Sequence, residues 1–206
     1  MTDAAAAPSK LILASQSVSR RAMLAAAGVP HEPMSSGVDE DSAKAALRAE
    51  GVSARDLADA LAELKATKLS RRHPTDLVLG CDSTVVLDDG TMLDKAGSRD
   101  EQKALLRAIS GRRHRLYSAA VICVGGMPVW RNVDVASLHV RPLSDLFIEA
   151  YLDVEWPTIG GCVGGYRIEG PGIQIFSRIE GSQFTIQGLP LLQLLDYLRE
   201  RGVMPS

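Results

Sequence analysis

The sequence predicts an α/β fold, a sheet of buried strands flanked by helices, on three observations. Leu11 to Ala14 is an uninterrupted apolar run of strand length, the pattern of a strand covered on both faces. It passes through a serine-rich loop into a segment of good helix formers. A second helical pattern then leads into another apolar run, Leu77-Val78-Leu79, so strand and helix signals alternate.

The elements follow in order. Residues 1 to 9 read as a flexible tail, and structure is expected from Lys10. Ser17 or Ser19 caps a helix running from Arg20 to Ala27, which Gly28 ends. Residues 53 to 70 carry Leu57, Leu61 and Leu64 at helical spacing; at about 100° per residue Lys68 falls near the middle of that stripe and Lys65 at its edge. A lysine there is either a snorkelling side chain or a ligand-facing one. The strand at Leu77 continues through Gly80-Cys81-Asp82 and resumes over Thr84 to Leu87; Asp88-Asp89-Gly90 turns it back through Met92-Leu93. Ser98 and Glu101 form a capping box for a helix to about Ile109. Two alternating segments, Tyr117 to Val124 and Val133 to Val140, predict strands, and Ser144 starts a helix toward Tyr151. Six of the thirteen residues from 160 to 172 are glycine, which predicts close backbone approach, with a strand over Ile173 to Ile179 to follow. Pro190 opens the last helix, with Leu191, Leu194, Leu195 and Leu198 on one face.

Composition narrows what the chain can do. At 206 residues and 46% hydrophobic content it can bury a full core, as one domain over residues 10 to 206 or two small lobes sharing a sheet. A formal charge of −2 provides no field for a nucleic-acid backbone, so stable nucleic-acid binding is not expected and a small anionic ligand is favoured. Cys81, Cys123 and Cys162 lack C-x-x-C spacing, which argues against a zinc site and for a reducing compartment. No apolar run reaches the roughly 20 residues of a membrane span, so no membrane association and a cytoplasmic location are expected.

Several residues stand where chemistry is done. Ser15, Ser17, Ser19, Arg20 and Arg21 lie at a strand-to-helix handover, where N–H groups, hydroxyls and guanidinium groups can converge on phosphate oxygens; a plain serine cap is the alternative. Asp82 follows an apolar strand and must find donors, a cation or a raised pKa, unless it is only a turn carboxylate. Glu40, within Val38-Asp39-Glu40-Asp41, and Lys95 read equally as solvated charges. The chain has no G-x-x-x-x-G-K-[ST], no G-x-G-x-x-G after a strand and no G-x-S-x-G elbow, which argues against a P-loop enzyme, a dinucleotide oxidoreductase and an elbow hydrolase.

Taken together, the ordered pieces resemble the Maf family of nucleoside triphosphate pyrophosphatases. They are Leu-Ile-Leu-Ala-Ser with Arg20-Arg21, Val-Asp-Glu at 38 to 40, Leu-Lys-Ala at 64 to 66 and Gly-Cys-Asp-Ser at 80 to 83. Leu-Asp-Lys at 93 to 95, Leu-Arg-Ala-Ile-Ser-Gly-Arg-Arg-His at 106 to 114, Glu-Gly-Pro-Gly-Ile at 169 to 173, Ile-Glu-Gly-Ser at 179 to 182 and Gly-Leu-Pro-Leu at 188 to 191 complete the match. The resemblance implies an ITPase-like fold, an elongated mixed sheet flanked by helices with two lobes around a cleft. It implies hydrolysis between the α and β phosphates with a divalent cation, Mg²⁺ or Mn²⁺, on modified or noncanonical nucleotides. Position by position it makes Asp82 the proton acceptor and, with Glu40, a metal ligand. Ser15, Arg20, Lys65 and Lys95 become phosphate-binding residues, Lys65 being preferred to the Lys68 that periodicity favours. Ser19, Ser83 and Glu169 occupy substrate-specificity positions, where they match neither the dTTP and UTP branch nor the 7-methyl-GTP branch. Val18 and Ala96 replace prolines usual in the family. A homodimer is compatible with the resemblance, and a Maf-like regulator or binding protein of cell division without turnover is the alternative function.

Overall fold

The computed structural model describes residues 10 to 205, and the tail expected over residues 1 to 9 lies outside them. In chain order the elements are β1 (Leu11–Leu13), α1 (Val18–Ala26), β2 (Glu32–Pro33), α2 (Glu40–Ala49), α3 (Ala54–Ser70), β3 (Leu77–Leu87), β4 (Met92–Leu93) and α4 (Arg99–Ile109). They continue with β5 (Arg113–Val124), β6 (Met127–Val140), α5 (Asp145–Glu155), β7 (Phe176–Glu180), α6 (Gln183–Ile186) and α7 (Leu191–Glu200). The strands form one seven-stranded sheet in the order β2-β1-β3-β5-β6-β7, with β4 beside β3. β1 runs parallel to β2 and β3, while β3–β4 and β6–β7 are antiparallel, so the sheet is mixed. The α/β reading holds.

Backbone contacts divide the chain into two compact units. The first runs through Asp82 and adds Ser118–Val133 and the chain from Gly188 on. At its centre β1 pairs with β3 at Leu11↔Leu77, Ile12↔Val78 and Leu13↔Leu79, all fully or almost fully buried. Burial of each such side chain contributes about 1.5–3 kcal/mol. α3 covers this region with Leu57, Ala58, Leu61, Ala62, Ala66 and Leu69. The approach is close: a Cβ on Gly80 of β3 would lie 2.1 Å from the Ala62 carbonyl oxygen and 2.8 Å from the Ala66 nitrogen. Gly80 therefore lets the helix backbone sit directly on the strand.

The second unit, Ser83–Tyr117 with Asp134–Gln187, has its own core of Leu106, Ile109, Leu138, Ile148, Leu152, Ile159 and Ile175. Ser98 caps α4 as expected, accepting from the Glu101 N–H at 3.2 Å; the Glu101 carboxylate reaches one residue past the cap, to the Gly97 N–H at 2.8 Å. Ser144 caps α5 in the same way.

Four expectations are corrected. The stripe on α3 is turned from the predicted one: Leu64 is exposed, and alanines 58, 62 and 66 carry the buried face with Lys65 among them. Small residues mark it because the helix backbone lies so near β3. An unpredicted helix, α2, stands where Asp39 to Asp41 read as a solvated run; Asp39 caps it and two acids in its first turn suit the helix dipole. β3 is continuous through Asp82 and Ser83. The strand expected from Ile173 begins only at Phe176, because Pro171–Ile175 forms a 3₁₀ turn.

Candidate active site

Within the first unit the end of β1 carries the predicted serine loop. Ser17 caps α1, its Oγ accepting from the Arg20 N–H at 3.4 Å. Ser15 Oγ accepts from the Ser17 N–H at 3.2 Å and from Arg20 Nη1 at 3.3 Å. The Arg20 guanidinium also donates to the Cys81 carbonyl at 3.2 Å and, through Nε, to the Gly188 carbonyl at 2.8 Å. One side chain thus ties the β1 loop to β3 and to the segment entering α7. Gly188 was not visible as its anchor in the sequence, since 168 residues separate the pair. Arg21 is exposed, and Val18 is the first residue of α1.

On the α3 side of β3 three predicted residues meet. Lys65 Nζ lies 2.7 Å from Asp82 Oδ1 and 2.8 Å from Glu40 Oε2. Its side chain is 6% exposed, Asp82 is 13% exposed and Glu40 48%, so the ammonium is the enclosed member and the carboxylates grade outward. Each residue is placed by its element. Lys65 sits on the buried face of α3, and Asp82 shares its face of β3 with Gly80 two residues earlier, where the helix approaches. Glu40 is the first residue of α2.

The neighbouring acid serves differently. Both Asp39 oxygens are taken by Ser42, Oδ1 from its N–H at 3.1 Å and Oδ2 from its hydroxyl at 2.8 Å, which holds the Asp39 carboxyl below the usual range. Asp39 caps the helix and leaves Glu40 to reach Lys65. Lys68, which periodicity placed on the buried stripe, is exposed and donates to the Gly37 carbonyl. Cys81, beside Asp82 but fully buried, has its thiol pushed up to about 11 by burial and stays neutral. Successive strand residues face opposite sides, so Ser83 lies on the face away from Asp82.

The second unit holds Lys95 and Glu169, both exposed. Glu169, Arg167, Lys95 and Glu155 all act electrostatically on Cys162, whose thiol burial pushes up. They therefore share one neighbourhood. Arg167 makes a fork to Glu155, Nε to Oε2 at 2.9 Å and Nη2 to Oε1 at 3.0 Å, with Glu155 only 3% exposed. This pair pins the glycine loop two residues before Glu169; a Cβ on Gly172 would meet the Arg167 carbonyl oxygen at 2.5 Å. Neither Glu155 nor Arg167 was singled out from sequence.

Among the described residues no group of three or more His, Cys, Asp and Glu side chains is arranged to hold a metal ion. Asp82 and Glu40 nevertheless fit one. Two carboxylates already share a cation within hydrogen-bond distance, and Mg²⁺ sites of phosphate-processing enzymes commonly take one or two carboxylates and complete their shell with water and substrate phosphate.

A mixed α/β sheet flanked by helices, with a serine–arginine loop after β1 and an acid–lysine cluster on β3, is the class that fold and site define. The chain belongs to the Maf family: the model described as "Maf-like protein" matches residues 10–201. The nucleoside triphosphate pyrophosphatase of Sphingopyxis alaskensis is 51% identical over 196 residues, covering 95% of this chain and 99% of that protein. That of Caulobacter vibrioides is 50% identical over 192 residues, 93% of this chain and 96% of the relative. Among solved structures, a nucleoside-triphosphatase/dITP/XTP pyrophosphatase from Mycobacterium abscessus is 18% identical, covers 93% of this chain and 97% of that one, and has a TM-score of 0.45. No helix among the described residues is long and apolar enough to cross a membrane.

Proposed function

We propose that this chain is a nucleoside triphosphate pyrophosphatase, a hydrolase acting on acid anhydrides that converts a nucleoside triphosphate and water into a nucleoside monophosphate and pyrophosphate. Its membership of the Maf family and relatives of that name matched over nearly their whole length support the activity. The observation that carries the chemistry is the enclosed Asp82–Lys65–Glu40 cluster. A carboxylate that is mostly enclosed, with a lysine ammonium 2.7 Å away, is placed to take a proton from water attacking the α phosphorus. Ser15 accepts two hydrogen bonds and keeps its own O–H as a donor to a phosphate oxygen, while Arg20 fixes the loop and adds positive charge beside it. Lys65 offsets charge developing on the triphosphate. The roles of Lys95 in binding phosphate and of Ser19, Ser83 and Glu169 in base recognition rest on the family correspondence.

A divalent cation, Mg²⁺ or Mn²⁺, held by Asp82 and Glu40 would supply Lewis-acid stabilisation of the phosphate charge when bound. Modified or noncanonical nucleotides are the proposed substrates, and the cytoplasm the proposed location. The test is a panel containing 7-methyl-GTP, dTTP, UTP and the common purine triphosphates, with pyrophosphate and orthophosphate measured separately in Mg²⁺ or Mn²⁺. Pyrophosphate release from at least one nucleotide is expected; orthophosphate alone, or neither, contradicts the reading. No observation favours a regulator without turnover.

A further inference from the structure

Lys65 is an unusual phosphate-binding residue, because its ammonium is already committed to two carboxylates. It is enclosed in the first unit, 6% exposed, and bonded at 2.7 Å and 2.8 Å to the two carboxylates that would bind a metal ion. An enclosed lysine needs a counter-charge, and two carboxylates converging on one point need a cation. Each need is met by the other. The cluster of Lys65, Asp82 and Glu40 carries one positive and two negative charges.

We propose that Lys65 is the internal counter-ion of the Asp82–Glu40 pair in the nucleotide-free enzyme, and that it competes with the divalent cation for those carboxylates. Metal then enters efficiently only together with a triphosphate, whose oxygens give the Lys65 ammonium another partner as it leaves Asp82 and Glu40. The consequence is coupled binding: each ligand raises the affinity for the other by the same factor. Such coupling keeps the acceptor oxygen of Asp82 covered by an ammonium until substrate is present. The inference rests on the assignment of Asp82 and Glu40 as the metal pair and goes beyond it in fixing what holds that pair when no metal is bound.

The test is Mn²⁺ binding to the full, nucleotide-free chain, read from the EPR signal of free Mn²⁺ without any turnover. Lys65→Met, which keeps the length of the apolar lysine stem and removes the charged end, should bind Mn²⁺ at least ten-fold more tightly than the unaltered protein. Lys65→Gln should do the same, Lys65→Arg should not, and adding Glu40→Gln to Lys65→Met should abolish the gain. Equal or weaker Mn²⁺ binding in both neutral variants would overturn the inference, since lysine would then organise the carboxylates for metal. On the unaltered chain, protein-retained Mn²⁺ in equilibrium dialysis should rise at least five-fold on adding an α,β-methylene nucleoside triphosphate. No rise overturns the inference even if the variants misfold. Pyrophosphate release with no Mn²⁺ gain sinks this inference alone; a Mn²⁺ gain with no pyrophosphate release from the nucleotide panel sinks the proposed activity alone.

Discussion

The two units each contain an enclosed ion pair, and the pairs are built in opposite senses. In the second unit the enclosed member is an anion, Glu155, and the Arg167 guanidinium occupies both of its oxygens in a neutral, closed fork. In the first the enclosed member is a cation, Lys65, shared by two carboxylates that differ in exposure and leave the group with a surplus negative charge. A closed fork fixes backbone, here the glycine loop ahead of Glu169. An open cluster keeps negative charge that becomes available to a metal ion and to proton transfer once the lysine is drawn away.

The comparison can be broken first at the fork. Arg167→Met leaves Glu155 as an uncompensated enclosed carboxylate and should cost about 3–5 kcal/mol in denaturant unfolding, whereas Glu155→Met with Arg167→Met should return to within about 1 kcal/mol of the parent. If the single and double variants lose stability equally, the fork is not the closed pair described. Gly80→Ala comes next: a methyl group 2.1 Å from the Ala62 carbonyl oxygen must push α3 off β3, for about 3 kcal/mol, and should lower turnover further by parting Lys65 from Asp82. A Gly80→Ala protein with parent stability would refute the close approach.

Acid tests the second unit separately. His114 is fully enclosed, its Nε2 2.7 Å from the Tyr166 hydroxyl, and burial pushes its pKa down to about 4 from 6.5. Because the folded value is depressed, the unfolded chain binds the extra proton between those values. The contribution is complete above about pH 6.5 and is lost as pH falls toward 4, at most about 1.4 kcal/mol per unit. Unfolding curves of the parent and His114→Gln should therefore converge in slope against pH over that window if another group is responsible, and diverge if His114 is. The smallest effect belongs to Lys65→Met. It leaves Asp82, 13% exposed, beside Glu40, 48% exposed, with no ammonium between them, so it should lose stability, but less than Arg167→Met, whose Glu155 is 3% exposed, although turnover falls much further.

Local chemistry made much of this legible. Ser17, Ser98 and Ser144 were readable as helix starts because a cap is set within three residues, and all three accept a backbone N–H in the structure. The strand at Leu77 was readable because it is buried on both faces. What failed was phase and partnership. Leu64 drew the predicted stripe of α3 toward itself, while the true face is lined by alanines whose smallness answers Gly80 on another element. A glycine inside Val-Leu-Gly-Cys-Asp was the available sign of that approach. The Asp39 and Glu40 carboxylates look alike in sequence; only a helix beginning between them makes one a cap and the other a partner of Lys65. Pairing across 168 residues, as between Arg20 and Gly188, leaves no local trace. Lys65 itself came from family correspondence, against the periodicity.

The most direct measurement of the account's central claim is pyrophosphate release by the parent and by Asp82→Asn, on the best nucleotide of the panel at saturating Mg²⁺. Asparagine keeps the shape and loses the proton acceptor, so turnover should fall about 10²–10⁴-fold while the unfolding midpoint stays close to that of the parent. An Asp82→Asn protein that is folded and turns over at the parent rate would contradict the account.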